Sequence, residues 1–534
     1  MSKIILAQTD SITGKIKENA EKIKTLISEA KHDSADVVIF PEFSLIGYPF
    51  KDILCRHKNL LSQQKEALEG IKNSTDGIIA IVGHATDNGE SSFSIFTNGQ
   101  KINSDTIKIG EKEYKVISGE YDTFKGSSDK NIIHISASCS RNGKEYLKNK
   151  HLSGIAKSNN IEYIYVNSAG YGDNLVFDGA SRIYNNDGEI TACAKSFEED
   201  FLITENLSGR KEPLPKGAEK ELSDNFSFNY ENDLDRLYKE LICGIKGYFS
   251  KNGFSKAVLG LSGGLDSTIC AVLLVDTLGK ENVVGVSMPT KISSQGSKDD
   301  AKELANNLGI TYIEAPIANE VSVFQDELNQ IFEKINMDKY GKSTTFENIQ
   351  ARTRATLLWS ISNEFKGMLP IATSDKSEGY IGYATTNGDM SGGFAPIADV
   401  TKTKLFALGK YLNKNRAEKN AIPQNVLEKP PGAELKFDEA KGRTITAEED
   451  NMPYPFLDEI IFNIETFGLG LDELLMKDFL YEKEHKISKE QKKEWLLKFC
   501  NKYEKAVFKW HLMPPAIITD RKTINQSEYY HPIV

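Results

Sequence analysis

The 534-residue sequence contains six cysteines, Cys55, Cys139, Cys193, Cys243, Cys270 and Cys500, and none of them forms a Cys-x-x-Cys pair. That scatter excludes a disulfide framework and a zinc knuckle, and it fits buried thiols in a reducing compartment. Basic charge is also short: 66 Lys and Arg stand against 76 Asp and Glu, a net charge of −10. Neutralising a phosphate backbone takes clustered cations, so general nucleic-acid binding is not expected. No apolar run approaches the roughly 20 residues of a membrane helix. The opening Met1-Ser-Lys-Ile-Ile-Leu6 reads as a strand and not as a signal peptide. A cytoplasmic protein without membrane or nucleic-acid partners is the expectation. Internal repeats and low-complexity tracts are missing as well, which excludes fibres and arrays.

What is present describes a globular chain: 39% hydrophobic, 27% charged and 9% aromatic residues. At roughly 100–200 residues per domain the length calls for two or more units. The first half alternates short apolar runs with helical periodicity. Ile4–Ala7, Asp36–Phe40, Gly77–Gly83, Ile132–Ile135 and Ile161–Val166 read as strands, and Lys15–Ala30 as a helix. Between Leu207 and Asp235 the chain turns polar, with Gly209, Pro213, Pro215 and Gly217, as an inter-domain linker does. The second half restarts with strands at 256–261, 283–288 and 311–315 and helices at 266–278 and 297–308. This β-α-β-α-β order opens a doubly wound parallel sheet, in which ligands bind at the carboxyl ends of the strands. The expected domains are therefore 1–205, a linker at 206–235, and 236–534.

The turn after the first strand of the second half is Gly260-Leu-Ser-Gly-Gly-Leu-Asp-Ser267. Glycines there let backbone N–H groups face an anion, and the following helix N-terminus carries about half a positive charge. The turn lacks the lysine of a Gly-x-x-x-x-Gly-Lys-Ser/Thr loop and does not match Gly-x-Gly-x-x-Gly. Ser-Gly-Gly-x-Asp-Ser instead resembles the pyrophosphate loop of the ATP pyrophosphatases, which split ATP between its α- and β-phosphates. Gly260, Ser262, Gly263, Gly264 and Ser267 are candidates for holding phosphate, and Asp266 for holding Mg²⁺.

Further on stand Glu347-Asn-Ile-Gln-Ala-Arg-Thr-Arg354, with Thr344 or Thr345 as the expected helix cap, then Ile371-Ala-Thr-Ser-Asp-Lys-Ser-Glu378 and Asn387-Gly-Asp-Met-Ser-Gly-Gly-Phe-Ala-Pro396. With Met288-Pro289 and Lys402, these resemble the NAD⁺ synthetase family over most of residues 236–455. The resemblance implies a ligase in which ATP adenylates the nicotinate carboxylate of deamido-NAD and ammonia displaces AMP. It implies Glu378 as the second Mg²⁺ carboxylate beside Asp266, Thr373 and Lys402 as ATP contacts, and Asn348, Arg352, Glu378 and Lys509 facing the dinucleotide. It also implies a homo-oligomer, at least a dimer. Two departures stand out. Gly432 replaces a hydroxyl residue within Pro431-Gly-Ala-Glu-Leu435, and only Lys509 remains of a basic run before Pro514-Pro515. Thinner cationic contact keeps nicotinate mononucleotide open as an alternative substrate.

Residues 1–205 resemble the nitrilase-like glutaminase domain of two-domain members, through Phe40-Pro-Glu-Phe-Ser-Leu-Ile-Gly-Tyr-Pro49 and Tyr165-Val-Asn-Ser-Ala-Gly-Tyr-Gly-Asp-Asn-Leu-Val-Phe-Asp-Gly179. The implied architecture is an N-terminal nitrilase-like α/β sandwich followed by a doubly wound PP-loop domain of the adenine nucleotide α-hydrolase kind. The resemblance gives Glu42 the place of the general base, and Ser138 and Lys144 those of residues that cradle glutamine. Glutamine hydrolysis also needs a nucleophilic cysteine and an oxyanion-stabilising lysine. Gly119 occupies the cysteine's place, and Ser118, one position off, faces the other side of a strand. Lys101, Lys108, Lys112 and Lys115 sit in what reads as a shortened, exposed hairpin, and Cys139 reads as a structural thiol. Free ammonia is thus the expected nitrogen donor, with glutamine as the alternative. A nitrilase-type amidase, a non-catalytic scaffold and a tRNA-directed PP-loop enzyme are the competing readings, disfavoured by Gly119, the intact loop and the acidity respectively.

Overall fold

The structure, a computed structural model, describes residues 2–50, 57–126, 128–204, 233–335, 337, 344–416, 419–429, 437–438, 443–444, 446–520 and 523. The chain divides into two compact units, Met1–Phe226 and Ser227–Val534. Residues 206–232 of the expected linker and the Pro431–Leu435 segment with Gly432 lie outside the described residues.

In the first unit the strands are β1 (Ile4–Gln8), β2 (Val37–Ile39), β3 (Ile79–Ala85), β4 (Ser91–Thr97), β5 (Gln100–Ile102), β6 (Thr106–Ile109), β7 (Lys112–Ser118), β8 (Asn131–Ser136), β9 (Tyr163–Asn167), β10 (Ala169–Gly172), β11 (Leu175–Asp178), β12 (Arg182–Tyr184), β13 (Ile190–Cys193) and β14 (Asp200–Ile203). They build two six-stranded sheets, β14-β1-β2-β3-β4-β5 and β13-β12-β9-β8-β7-β6. Period-two alternation divides each strand's side chains between two cores. Ile4, Leu6, Val37 and Ile39 meet Ile133, Ile135, Ile164 and Val166 between the sheets. Ile5, Ala7 and Val38 face α1 (Ile16–His32) and α2 (Lys58–Lys72). Helix α1 forms because Ile16, Ala20, Ile23, Ile27 and Ala30 recur at intervals of three and four and make one buried stripe. On the outer face of the second sheet, α3 (Lys144–Asn159) buries Leu152, Ile155 and Ala156 against Tyr163, Tyr165 and Tyr184. Strands covered on both faces read as continuous apolar runs, which is why they were legible in the sequence.

Residues 98–116 do not form a single shortened hairpin. β5 pairs with β4 in the first sheet, whereas β6 pairs with β7 in the second, so the chain crosses the sandwich between Ile102 and Thr106. Lys101 therefore stands on one sheet and Lys108, Lys112 and Lys115 on the other. Lys115 is half-buried, unlike the other three.

The second unit begins with α4 (Leu234–Asn252), then β15 (Lys256–Gly260), α5 (Leu265–Leu278), β16 (Val283–Ser287), α6 (Gln295–Leu308), β17 (Thr311–Glu314), α7 (Ala318–Phe332), α8 (Thr345–Glu364) and β18 (Met368–Ile371). The sheet is parallel, ordered β17-β16-β15-β18. The chain winds from β15 outward to β17 and then returns to the other side of β15. This reversal makes the carboxyl end of β15 the topological switch point, where such sheets hold ligands. The short α9 (Lys376–Tyr380) and α10 (Lys402–Asn415) follow β18. Farther on, α11 (Tyr454–Phe467) and α12 (Lys489–Trp510) close a separate apolar cluster around Phe456, Phe499, Tyr503 and Trp510. Among the described residues no helix is long and apolar enough to cross a membrane.

Candidate active site

A cavity of about 270 Å³ opens at the switch point, lined by the whole of Gly260–Asp266 together with Thr373, Glu378 and Lys402. The loop's shape follows from its glycines. Gly263 has φ +75°, and a Cβ there would lie 2.1 Å from the Ser297 carbonyl oxygen, so glycine alone fits. Gly264 is extended and hands the chain to α5. Ser262 and Ser267 brace the turn: their hydroxyls are 3.1 Å apart, the Gly264 N–H donates to Ser262 Oγ at 3.2 Å, and Ser267 Oγ donates to the Gly264 carbonyl at 3.1 Å. The N-terminus of α5, with its free N–H groups and dipole, thus points into the cavity.

Asp266, Glu378 and Asp389 line the cavity, and the buried Asp375 stands close to the first two. Asp266 lies in the first turn of α5, and Asp375 caps α9, its Oδ1 accepting the Glu378 N–H at 2.9 Å. One oxygen from each of Asp266, Asp375 and Glu378 lies within 4.8 Å of the others. Lys402, at the start of α10, sends its ammonium into their midst. Nζ is 2.8 Å from both Asp266 oxygens, 2.5 Å from Asp375 Oδ2 and 3.0 Å from Glu378 Oε1. Burial pushes the Asp375 and Glu378 carboxyls up, against the pull of Lys402. Burial would lower the Lys402 ammonium, but Asp266, Asp375 and Glu378 together hold it well above the ordinary lysine value. A second buried lysine, Lys376, points the other way and pairs with Asp399 at 3.1 Å, Glu465 at 2.7 Å and Asp520 at 3.0 Å.

The structure gathers Gly260, Ser262, Gly263, Gly264, Asp266, Thr373, Glu378 and Lys402 on one cavity, with Ser267 directly behind the loop. Asn348, Arg352 and Lys509 converge instead on the neighbouring segment 382–386. Thr385 Oγ1 donates to Asn348 Oδ1 at 2.9 Å, Arg352 Nε to the Thr386 carbonyl at 3.2 Å, and Lys509 Nζ to the Gly382 and Ala384 carbonyls at 2.8 and 2.6 Å. Burial lowers the Lys509 ammonium, with Asp389 opposing. Thr344 does precede α8, as expected, but its side chain makes no cap bond. Sequence reasoning missed Asp375, Arg354, Lys298 and Lys429. The last three line the cavity with cations, and Arg354 donates from Nε to the Met288 carbonyl at 3.1 Å.

In the first unit, Glu42 follows β2, and its Oε2 accepts the Ala137 N–H at 2.9 Å. Burial pushes its carboxyl up to about 7, against the Ser91 hydroxyl and the Ala137 amide. Ser138 Oγ and Lys144 Nζ both donate to Glu120 Oε2, at 2.7 and 3.1 Å. Gly119 follows β7 with φ +131°, where a Cβ would come within 2.7 Å of Thr123 Oγ1. Its carbonyl pairs with His134 Nε2 at 3.0 Å. Cys139 is buried and bridges to Phe177. Lys112 pairs with Glu162 at 2.8 Å.

Comparison with known proteins fits this division. The family described as NAD synthase matches residues 237–509, slightly more than half of the chain. The chain belongs to the NAD synthase family. Members are ligases that join carbon to nitrogen, and this chain is one of them. The Carbon-nitrogen hydrolase family matches residues 3–107, ending before Gly119. The chain is 33% identical to the glutamine-dependent NAD(+) synthetase of Synechocystis over 98% of its own length and 97% of the relative's. It is 34% identical to the enzyme of that name from Aquifex aeolicus, over 89% and 91% of the two chains. Among solved structures, the glutamine-dependent NAD⁺ synthetase of Acinetobacter baumannii in complex with ADP aligns with a TM-score of 0.69 at 27% identity, covering 100% of this chain and 98% of that one. A second such synthetase, from Cytophaga hutchinsonii, shares the fold with a TM-score of 0.79 at 19% identity.

Proposed function

We propose that this chain makes NAD⁺ from deamido-NAD, consuming ATP and drawing its nitrogen from free ammonia. The observation that carries the reaction is the cavity at the switch point, where a phosphate-type loop, three carboxylates and four cationic side chains meet. The loop N–H groups, with Ser262, hold the pyrophosphate part of ATP, Ser267 braces the turn from behind, and Lys402, Lys298 and Lys429 offset the phosphate charge. Thr373 orients the nucleotide. Asn348, Arg352 and Lys509 shape the 382–386 segment that borders the dinucleotide's place, Lys509 through its bonds to two backbone carbonyls. Holding the nicotinate carboxylate in line with the α-phosphate lets it attack there, releasing pyrophosphate. Ammonia then adds to the adenylated carbonyl and AMP leaves.

The residues fit Mg²⁺. Asp266, Asp375 and Glu378 offer oxygens close enough to share one cation, and they already surround an ammonium. When bound, the ion supplies charge neutralisation at the phosphates.

For the donor, Gly119 carries the reading. Both its φ and the closeness of Thr123 Oγ1 suit glycine and would strain any side chain there. The names of the relatives favour a second reading, glutamine, with Cys139 as a displaced thiol. We further infer a cytoplasmic homo-oligomer that binds neither nucleic acid nor membrane. The test of substrate is direct: purified protein with ATP, Mg²⁺ and ammonium is given deamido-NAD or nicotinate mononucleotide. NAD⁺ from the first supports the proposal, and turnover of the mononucleotide alone overturns it.

A further inference from the structure

The middle of the carboxylate triangle is filled. Lys402 Nζ is within 3.0 Å of Asp266, Asp375 and Glu378 at once, where a cation bound to all three would sit. A magnesium ion holding oxygens at about 2.0–2.1 Å needs the same point. Two cations cannot share it, by volume or by charge. The lysine is also built to leave. Its backbone N–H is anchored to Ser377 Oγ at 2.8 Å, while its side chain borders the cavity. Lys376, equally buried, differs on this point: neither it nor any of its three carboxylate partners lines the cavity.

We propose that Lys402 is a place-holding cation that keeps the carboxylates ordered in the free protein and leaves for the nucleotide's phosphates when a divalent metal enters. This rests on the reading above that the cavity takes ATP with Mg²⁺. An ammonium expelled from three carboxylates in a buried site needs another anion close by, because burying it unpaired is costly. Phosphate oxygens supply that anion. Metal alone therefore meets a barrier that the nucleotide removes, and by linkage each ligand tightens the other.

Manganese, titrated by electron paramagnetic resonance into the full-length protein without substrates, tests this. Wild type binds it weakly, and Lys402→Met binds it at least tenfold more tightly. Lys410→Met, which removes an exposed lysine of the same helix that does not line the cavity, shifts affinity less than twofold. A Lys402→Met protein with a wild-type melting profile and unchanged manganese affinity overturns the proposal, as does equal tightening in Lys410→Met. If Lys402→Met does not fold, a wild-type crystal structure with manganese and a non-hydrolysable ATP analogue decides. Nζ on a phosphate oxygen supports the exchange, and Nζ still among the three carboxylates overturns it. The titration reads no NAD⁺, so failure of the functional proposal leaves it interpretable.

Discussion

Each unit sets carboxylates at its candidate site, and the two differ in what those carboxylates face. In the second unit, Asp266 and Glu378 border a cavity with a phosphate-type loop, and their lysine partner borders it too. In the first, Glu42 is spent on a backbone amide, and Glu120 ties up both Ser138 and Lys144. Gly119, which the family resemblance puts in the nucleophile's place, has φ +131°. The carboxylates of the first unit are thus satisfied by a backbone amide, a hydroxyl and one ammonium, away from any phosphate-type loop. Loss of a nucleophile typically costs many orders of magnitude and is not recovered by the partners left behind.

This contrast breaks first at Asp266. Asp266→Ala should lower pyrophosphate release by about 10³-fold or more while leaving the melting temperature near wild type, because the residue acts on charge in the cavity. Equal loss from Glu42→Ala would erase the distinction between the units. Next comes Lys376→Met, which leaves Asp399, Glu465 and Asp520 without their cation and should cost about 3–5 kcal/mol in denaturant unfolding.

Glu42 gives a smaller effect with a defined sign. Its folded value, about 7, lies above the ordinary 4.5, so the folded state holds a proton that the unfolded state releases. That contribution is fully present below pH 4.5 and is lost as pH rises towards 7, by about 3 kcal/mol at most. Unfolding of Glu42→Gln, followed between pH 5 and 7, should show a flatter dependence than wild type. The smallest effect is expected at Gly119. Gly119→Cys should lose about 1–3 kcal/mol of stability from its backbone conformation and should not gain glutaminase activity. A stable, glutamine-hydrolysing variant would contradict the account of that turn.

The β-sandwich, the parallel sheet and the loop were legible because their signals are local. Apolar runs mark strands covered on both faces, and Gly263 marks a turn that a side chain cannot make. The crossing between β5 and β6 was not legible, because either hairpin uses the same alternation and only long-range pairing separates them. The pairing of Lys402 with Asp266 joins residues far apart in sequence, so its place among the carboxylates was invisible. Asp375 left a usable signal: an Asp before a short helix with Glu378 three residues on is a cap pattern that puts both carboxylates at one end. Arg354, two residues beyond Arg352, left none that singled it out among surface charges.

The most direct test supplies the purified protein, ATP, Mg²⁺ and deamido-NAD with either ammonium or glutamine and measures NAD⁺. The account predicts NAD⁺ from ammonium, none above background from glutamine, and no change in either on Cys139→Ala. NAD⁺ formed from low concentrations of glutamine, and abolished by Cys139→Ala, would contradict it.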